Sequence, residues 1–334
     1  MKYDISALGN ALVDTQYMID HDFLNEIGLE ADSMTLASEK EQLAIIKKLN
    51  QKNVDSMSDC GGSATNSLVA ASNYGSKCHH VCRVADDKDG QKYLDSLNKA
   101  GIDHIGFSKE NSDLPTGKCL VLVTPDAKRT MSSMLGISAC LGPKDIDYDS
   151  IAKSRIFYIE GYMVTSDENF SAVLSVLEKL KDNDEIVKAM SLSDAGIVMG
   201  FKDKFDLIMA YGIDLIFCNE DESLAFSGES DIKETIEFYK NQEYLIAITQ
   251  GSDGSTVIKG DEVTHSPAIS IKAIDTNGAG DMYAGSFMHA YLQGASLKEC
   301  ADFSNYASSE VVMNFGPRLS SEKYKEVLNK LRKN

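Results

Sequence analysis

The chain has 334 residues, 43% hydrophobic and 25% charged, enough for one large α/β domain or two medium ones with a full core. Its 51 acidic and 33 basic residues leave a formal charge of −18, which removes the basic footprint that nucleic acid or an anionic membrane would require. Seven scattered cysteines, an odd number, imply no disulfide framework and suit a reducing compartment.

Taken in chain order, the N-terminus shows no signal-peptide layout, and no apolar run nears the roughly 20 residues of a membrane span, so a cytoplasmic protein is expected. "YDISALG" reads as a first strand. Residues 12 to 38 mix polar and apolar positions without a crossover helix of normal length. "ATNSLVAASNYG" reads as a helix with its stop at Gly75. "CHHVCRVA" is strand-like; its Cys and His spacing is not that of a zinc knuckle, so a buried strand is expected. "QKYLDSLNKAG" reads as a helix ending at Gly101, and "HIGFSKE" around His104 as a loop after it. Residues 118 to 136, "KCLVLVTPDAKRTMSSMLG", read as strand, Pro-Asp turn and strand. This hairpin is either a β-rich flap over a site or an edge hairpin. "RIFYIEGY", "EIVKAMSLSD", "DLIFCNEDE", "LIAITQG" and "GSTVIKG" follow as strands, with helical candidates between most of them. Such alternation predicts a parallel sheet covered on both faces. At the C-terminus Tyr324, Val327, Leu328 and Leu331 fall at helical spacing, with Ser320 able to cap.

The stretch "IDTNGAGDMYAGSF", Ile274 to Phe287, carries the chemistry. Tyr283, Phe287, Ala290 and Tyr291 repeat at helical spacing and Gly294 is the stop, so Gly278, Ala279 and Gly280 stand at a helix entrance. The first N–H groups of a helix lack internal partners, and the dipole there contributes roughly 0.3–1 kcal/mol toward a nearby anion. Small residues let a phosphate approach that backbone. Asp281 in the first turn is then either a dipole-favoured acid in a capped turn or a general base beside an anion cradle. The chain lacks G-x-x-x-x-G-K-[ST] and G-x-G-x-x-G. "TGKC" at Thr116 to Cys119 has the Gly-Lys pair alone, so a nucleotide site would be of another kind.

"DTNGAGD" resembles the C-terminal signature of the PfkB/ribokinase family of sugar and nucleoside kinases. That family's other landmarks follow in order: "GNALVD" (Gly9 to Asp14), "GGSATN" (Gly61 to Asn66), "NEDE" (Asn219 to Glu222) and "TQGSDG" (Thr249 to Gly254). The resemblance covers essentially the whole chain. It implies a ribokinase-like three-layer α/β/α fold with a mostly parallel central sheet and a small β-lid. Residues 1–334 would form one domain, the lid coming from segments about 12–38 and 113–137. It implies Asp281 as catalytic base, with the amides of Gly278, Ala279 and Gly280 as anion hole. Asn219 and Glu222 would organise Mg²⁺ through its waters, in keeping with that ion's preference for oxygen. Thr249, Gly251 and Gly254 would line the ATP site. Asn305, on "ADFSNYASSEVV", is either an adenine-side residue or a polar surface position. Asp14 and Asn66 would hold vicinal hydroxyls, since a carboxylate accepts and an amide does both. Gly61 and Gly62 would let a sugar approach the backbone; the alternative for this group is a strand-end turn and a helix cap.

Within the family the chain resembles the adenosine-kinase-like branch. Asn10 and Leu12 stand beside Asp14, Arg129 lies in the hairpin where a phosphate- or ribose-directed arginine belongs, and Tyr162 follows Gly161 where that branch has a base-stacking aromatic; the alternative for Tyr162 is a half-buried strand-end tyrosine. The implied activity is ATP- and Mg²⁺-dependent transfer to a nucleoside, foremost the adenosine 5′-hydroxyl giving AMP. The alternatives are a ribokinase- or fructokinase-like sugar kinase and a catalytically silent nucleoside- or sugar-binding protein. Asn277 departs from the small or hydroxylated residue common at its position. A monovalent cation such as K⁺ near Asp275 and Asn277 is a further candidate. The expected partner is a small nucleoside or sugar, with no nucleic acid or membrane, in a monomer or homodimer; the two-segment lid leans toward a monomer.

Overall fold

The computed structural model of the protein describes residues 2–107 and 113–331. In chain order its strands are β1 (Tyr3–Leu8), β2 (Leu12–Met18), β3 (Met34–Leu36), β4 (Ser56–Gly61), β5 (Cys78–Val84), β6 (Asp103–Phe107), β7 (Gly117–Val123), β8 (Arg129–Met134), β9 (Ser154–Ile159), β10 (Val187–Ser191), β11 (Leu215–Asn219), β12 (Leu245–Thr249), β13 (Ser255–Lys259) and β14 (Glu262–Ser266). They form two sheets. The nine-stranded one runs β14-β13-β12-β11-β10-β9-β1-β5-β6; it is parallel from β12 to β6 and antiparallel at the β12-β13-β14 edge.

Strand periodicity explains the layering. In β9, Ile156 and Tyr158 face one core, while Phe157 and Ile159 face another. The same split holds in β11 and β12, where Leu215, Phe217, Leu245 and Ala247 oppose Ile216, Cys218, Ile246 and Ile248. Side chains alternate across a sheet, so near-continuous apolar strands need cover on both sides. Helices Ser63–Tyr74, Ala279–Leu292 and Leu297–Val312 supply the first face, and Asp167–Leu180 the second. Gly75 ends helix Ser63–Tyr74 in the left-handed region at φ 110°.

The smaller sheet runs β3-β8-β7-β2-β4. Along β7, Leu120 and Leu122 pack with Ile45 and Leu49 of helix Glu39–Gln51, while Cys119, Val121 and Val123 form the opposite face with Leu12. This sheet takes more of the chain than segments 12–38 and 113–137, because β4 and the helix Glu39–Gln51 belong to it. The run "SMSDCG" of β4 carries no apolar alternation, since Ser56, Met57 and Ser58 are exposed in succession. "HIGFSKE" is also corrected: Asp103–Phe107 is strand β6, paired parallel with β5, while residues 108–110 of that stretch lie outside the described residues. "CHHVCRVA" is the wholly buried β5. Burial holds the His80 imidazole down to about 3, and its Nε2 lies 3.0 Å from Thr65 Oγ1. All seven cysteines are free thiols. Among the described residues, no helix is long and apolar enough to cross a membrane.

Candidate active site

The two sheets face each other across two connected cavities. The larger, about 870 Å³, lies over the carboxyl ends of β11 and β12; the smaller, about 90 Å³, lies under the second sheet. Ser63, Arg129, Ser193 and Asp281 line both.

The glycine turn stands at that junction. Gly278 precedes helix Ala279–Leu292 at φ 76°, and an added Cβ would fall 2.5 Å from Pro317 Cβ. The Ala279 N–H donates to the Thr276 carbonyl at 3.2 Å, so one of the three amides expected to form an anion hole already closes the turn. Gly280 opens on the large cavity with nothing within 4 Å of where a Cβ would sit. Asp281 Oδ1 accepts from Ser63 Oγ at 2.6 Å, and Oδ2 accepts from Asn66 Nδ2 at 3.0 Å. Helix Ser63–Tyr74 comes this close because of Gly285, one turn beyond Asp281: a Cβ there would lie 2.2 Å from the Ser67 carbonyl oxygen. Burial raises the Asp281 carboxyl above its ordinary range; the Ser63 and Asn66 donors, then Arg129 and Arg318, pull the other way.

Asn10, Leu12, Asp14, Gly62, Asn66, Arg129 and Tyr162 all line the small cavity. Asp14 Oδ1 is buried without a hydrogen-bond partner, and burial pushes its carboxyl up to about 7, with the Arg318 charge opposing and Asp281 adding. Gly61 does not line the cavity. It makes room for Asp14, whose Oδ2 would lie 1.9 Å from a Cβ at that position. Gly62 holds φ 96° with the Asn10 carbonyl 2.3 Å from where its Cβ would fall. Arg129 reaches from β8 to donate through Nη1 to the Thr276 carbonyl at 3.0 Å, and Thr276 Oγ1 donates to the Ala127 carbonyl at 3.0 Å. The hairpin of the second sheet is thus tied to the glycine turn. Tyr162 keeps its ring on the cavity wall while its hydroxyl donates to the Ser193 carbonyl at 3.1 Å.

The large cavity collects Asn219, Glu222, Thr249, Gly251, Gly254 and Asn305. Asn219 and Glu222 form a capping box on helix Glu220–Ser227, with Glu222 N donating to Asn219 Oδ1 at 2.8 Å and Asn219 Nδ2 to Glu222 Oε1 at 2.8 Å. Burial, with Asp194 and Asp221 adding, pushes the Glu222 carboxyl up to about 7. A buried acid short of positive charge suits a divalent cation. Among the described residues no three His, Cys, Asp or Glu side chains form a metal cage. That donor set fits Mg²⁺ held largely by phosphates and water, with Asn219 and Glu222 at its outer edge. Gly254, at φ 99°, has the Ser266 carbonyl 2.1 Å from an added Cβ. Asn305 is buried rather than a surface residue; its Nδ2 donates to the Ser266 carbonyl at 2.8 Å and fixes the wall of the cleft.

Four residues join the site that the sequence did not single out. Ser63 bonds the Asp281 carboxylate. Ser193 holds the left-handed region at φ 74° although it is not glycine, a strain that recurs at functional turns. Glu160, 1% exposed, accepts from Asn10 N, Asn10 Nδ2 and Ala64 N at 3.2, 3.0 and 2.9 Å. Arg318 donates through Nε to Asn66 Oδ1 at 3.0 Å. Two of them had a local signal: Ser63 lies inside "GGSATN", and Glu160 is an acid ending the apolar run "RIFYIEGY". Asp275 is fully buried and already engaged: its oxygens accept from Asn277 N at 2.8 Å and Gly316 N at 2.9 Å.

Residues 32–324 match the model of the pfkB family carbohydrate kinases. Adenosine kinase 1 of Arabidopsis thaliana is 27% identical over 92% of this chain and 94% of its own length. The crystal structure of an adenosine kinase from Sinorhizobium meliloti superposes with a TM-score of 0.89 at 29% identity, covering 100% of this chain and 99% of that one. A probable sugar kinase from Rhizobium etli superposes with a TM-score of 0.90 at 28% identity, covering 99% of both chains.

Proposed function

Because the chain belongs to the pfkB family of carbohydrate kinases, phosphotransferases with an alcohol group as acceptor, we propose that it transfers the γ-phosphate of ATP to the 5′-hydroxyl of adenosine, giving AMP. The fold is the ribokinase-like one of its structural neighbours. The observation that carries the proposal is Asp281, shared by both cavities and held at each oxygen by a donor. ATP lies in the large cavity with its phosphates toward Gly280, and the nucleoside in the small one against Asp14, Asn66 and Tyr162. Asp281 takes the proton of the acceptor hydroxyl as its oxygen bonds to the γ-phosphorus and the bond to the bridging oxygen of ADP breaks. Catalysis then rests on positioning and on the amides of the helix entrance. Kinases of this family use Mg²⁺, which supplies charge neutralisation at the phosphates beside Asn219 and Glu222. The second sheet acts as a lid that excludes water. A monovalent cation such as K⁺ acts at the Asp275 turn; unchanged activity in its absence removes that part.

Two observations favour a free sugar as the second reading: the small cavity measures only about 90 Å³, and one close neighbour is described as a probable sugar kinase. ADP release with adenosine, ribose and fructose in turn separates the two. Adenosine turnover is expected, falling on the order of 10²–10⁴-fold in Asp281→Asn. Ribose or fructose turnover without adenosine turnover overturns the nucleoside reading. Near-normal turnover in Asp281→Asn overturns the base and leaves the substrate result standing.

A further inference from the structure

We propose that Arg318 is a positioning residue for the catalytic base, acting through Asn66: it fixes which end of the Asn66 amide faces Asp281. The proposal rests on reading Asp281 as that base.

The loop that carries Arg318 is locked to the glycine turn. Gly316 N donates to Asp275 Oδ2 at 2.9 Å, and Pro317 occupies the space beside Gly278 that a side chain would need. From there the guanidinium reaches helix Ser63–Tyr74 and helix Lys88–Lys99. Its Nε donates to Asn66 Oδ1 at 3.0 Å and its Nη1 to Ser96 Oγ at 2.8 Å, while Asp59 Oδ1 of β4 stands 4.0 Å from Nη1. An asparagine amide has one accepting and one donating end, whereas a guanidinium only donates and a carboxylate only accepts. With Arg318 on one side and Asp281 on the other, a single orientation satisfies both: Oδ1 toward Arg318 and Nδ2 toward Asp281 Oδ2 at 3.0 Å. Both bonds are charge-assisted, and both side chains are largely buried, so the reversed amide would set like poles together without water to screen them. Without Arg318 nothing distinguishes the two orientations except Asp281 itself.

The Asp281 carboxylate is faced by Ser63 and Asn66 from helix Ser63–Tyr74, Arg129 from β8, Arg318 from the 316–318 loop, Asp14 from β2, Tyr158 from β9 and Glu160 just after that strand. The acids favour its protonated form; the two arginines and the two donors favour the ionised form that a base needs. Loss of Arg318 therefore moves the acid limb of the kcat profile to higher pH.

A double-mutant cycle tests the chain. Arg318→Met and Asn66→Ala are each expected to lower kcat on the order of tenfold or more, with the acid limb displaced upward in pH. If Arg318 acts through Asn66, adding Arg318→Met to Asn66→Ala changes kcat by less than about twofold when read on the plateau above the acid limb, where the direct effect of the arginine charge on Asp281 ionisation no longer counts. Multiplying effects overturn the proposal, and so does an Arg318→Met enzyme with wild-type kcat and limb. Arg318→Lys keeps the cation but not the planar fork and serves where Arg318→Met does not fold; wild-type kcat in it shows that charge alone suffices and overturns the amide-setting role. In acceptor-free protein, the ¹³C titration midpoint of the Asp281 carboxyl, assigned with Asp281→Asn, should rise in the Arg318 variant. That reading is independent of any acceptor: an unmoved midpoint refutes the Arg318 role, whereas failure of the wild type to release ADP refutes the kinase substrate reading alone.

Discussion

Replacing Gly285 by alanine tests how the base is held. An ideal Cβ at Gly285 lies 2.2 Å from the Ser67 carbonyl oxygen and 3.0 Å from Ala70 Cβ, both on helix Ser63–Tyr74. Relief to an ordinary contact requires the two helices to part by about 1 Å. Overpacking of this kind costs about 1–3 kcal/mol. The better helix propensity of alanine returns about 0.5–1 kcal/mol of that. The net loss is about 0–2.5 kcal/mol, at most a few degrees in Tm for a chain of this size. The functional effect exceeds the thermodynamic one. Ser63 and Asn66 ride on one helix and Asp281 on the other, so the same displacement stretches bonds of 2.6 and 3.0 Å out of range. A misplacement of about 1 Å can cost about 10²-fold in rate. Calorimetry and ADP release on the purified variant read both quantities. A kcat within twofold of wild type together with an unchanged Tm refutes the account of how Asp281 is placed. Gly280→Ala is the informative contrast: its Cβ meets nothing and alanine is the better helix former, so Tm should hold or rise while KM for ATP rises.

Three further outcomes are expected. Gly254→Ala, at φ 99° with the Ser266 carbonyl in the way, should raise KM for ATP and lower Tm while KM for the acceptor stays fixed; an unchanged KM for ATP refutes the role of that turn. Tyr162→Ala should raise KM for adenosine about tenfold, from the roughly 1–3 kcal/mol of a base–aromatic stack, whereas Tyr162→Phe loses only the bond to Ser193 and should change little; equal effects in both variants refute stacking. Asp14, Glu160 and Glu222 each titrate near 7 in the folded chain, above the ordinary carboxylate value near 4. The stability they contribute is therefore present in full below about pH 4 and lost as pH rises through about 7, so Tm should fall from pH 5 to pH 8. Glu160→Gln should flatten part of that slope, and a slope unchanged in this variant excludes Glu160 as a source.

The central sheet was legible because its strands are apolar on both faces, and the helix entrance at Gly278 because glycine, alanine and a first-turn acid have a local meaning. The second sheet was legible only where it alternates, as in "KCLVLVTPDAKRTMSSMLG". Strand β4 pairs through its backbone with β2 while showing polar side chains to solvent, so no periodicity marked it. The site divides in the same way. Asp14, Asn66, Glu222 and Asp281 sit in motifs, and the fold brings them to the cavity walls. Arg318 sits in none. It is one base in "NFGPRL", and its importance comes from a contact 252 residues away along the chain. Ser193 and Ser63 owe their places to a strained turn and a close helix crossing, which depend on neighbours distant in sequence.

The bonds between the hairpin and the glycine turn, Arg129 to Thr276 and Thr276 to Ala127, have a kinetic consequence. They couple the hairpin of the second sheet to the helix entrance, so under the proposed function a phosphoryl group seated there would sense whether the hairpin is docked. Two neutral-acceptor hydrogen bonds hold with a net of about 1–3 kcal/mol, a bias of roughly tenfold to a hundredfold. Under the proposed function, a bias of that size would favour the docked hairpin over the undocked one without locking it.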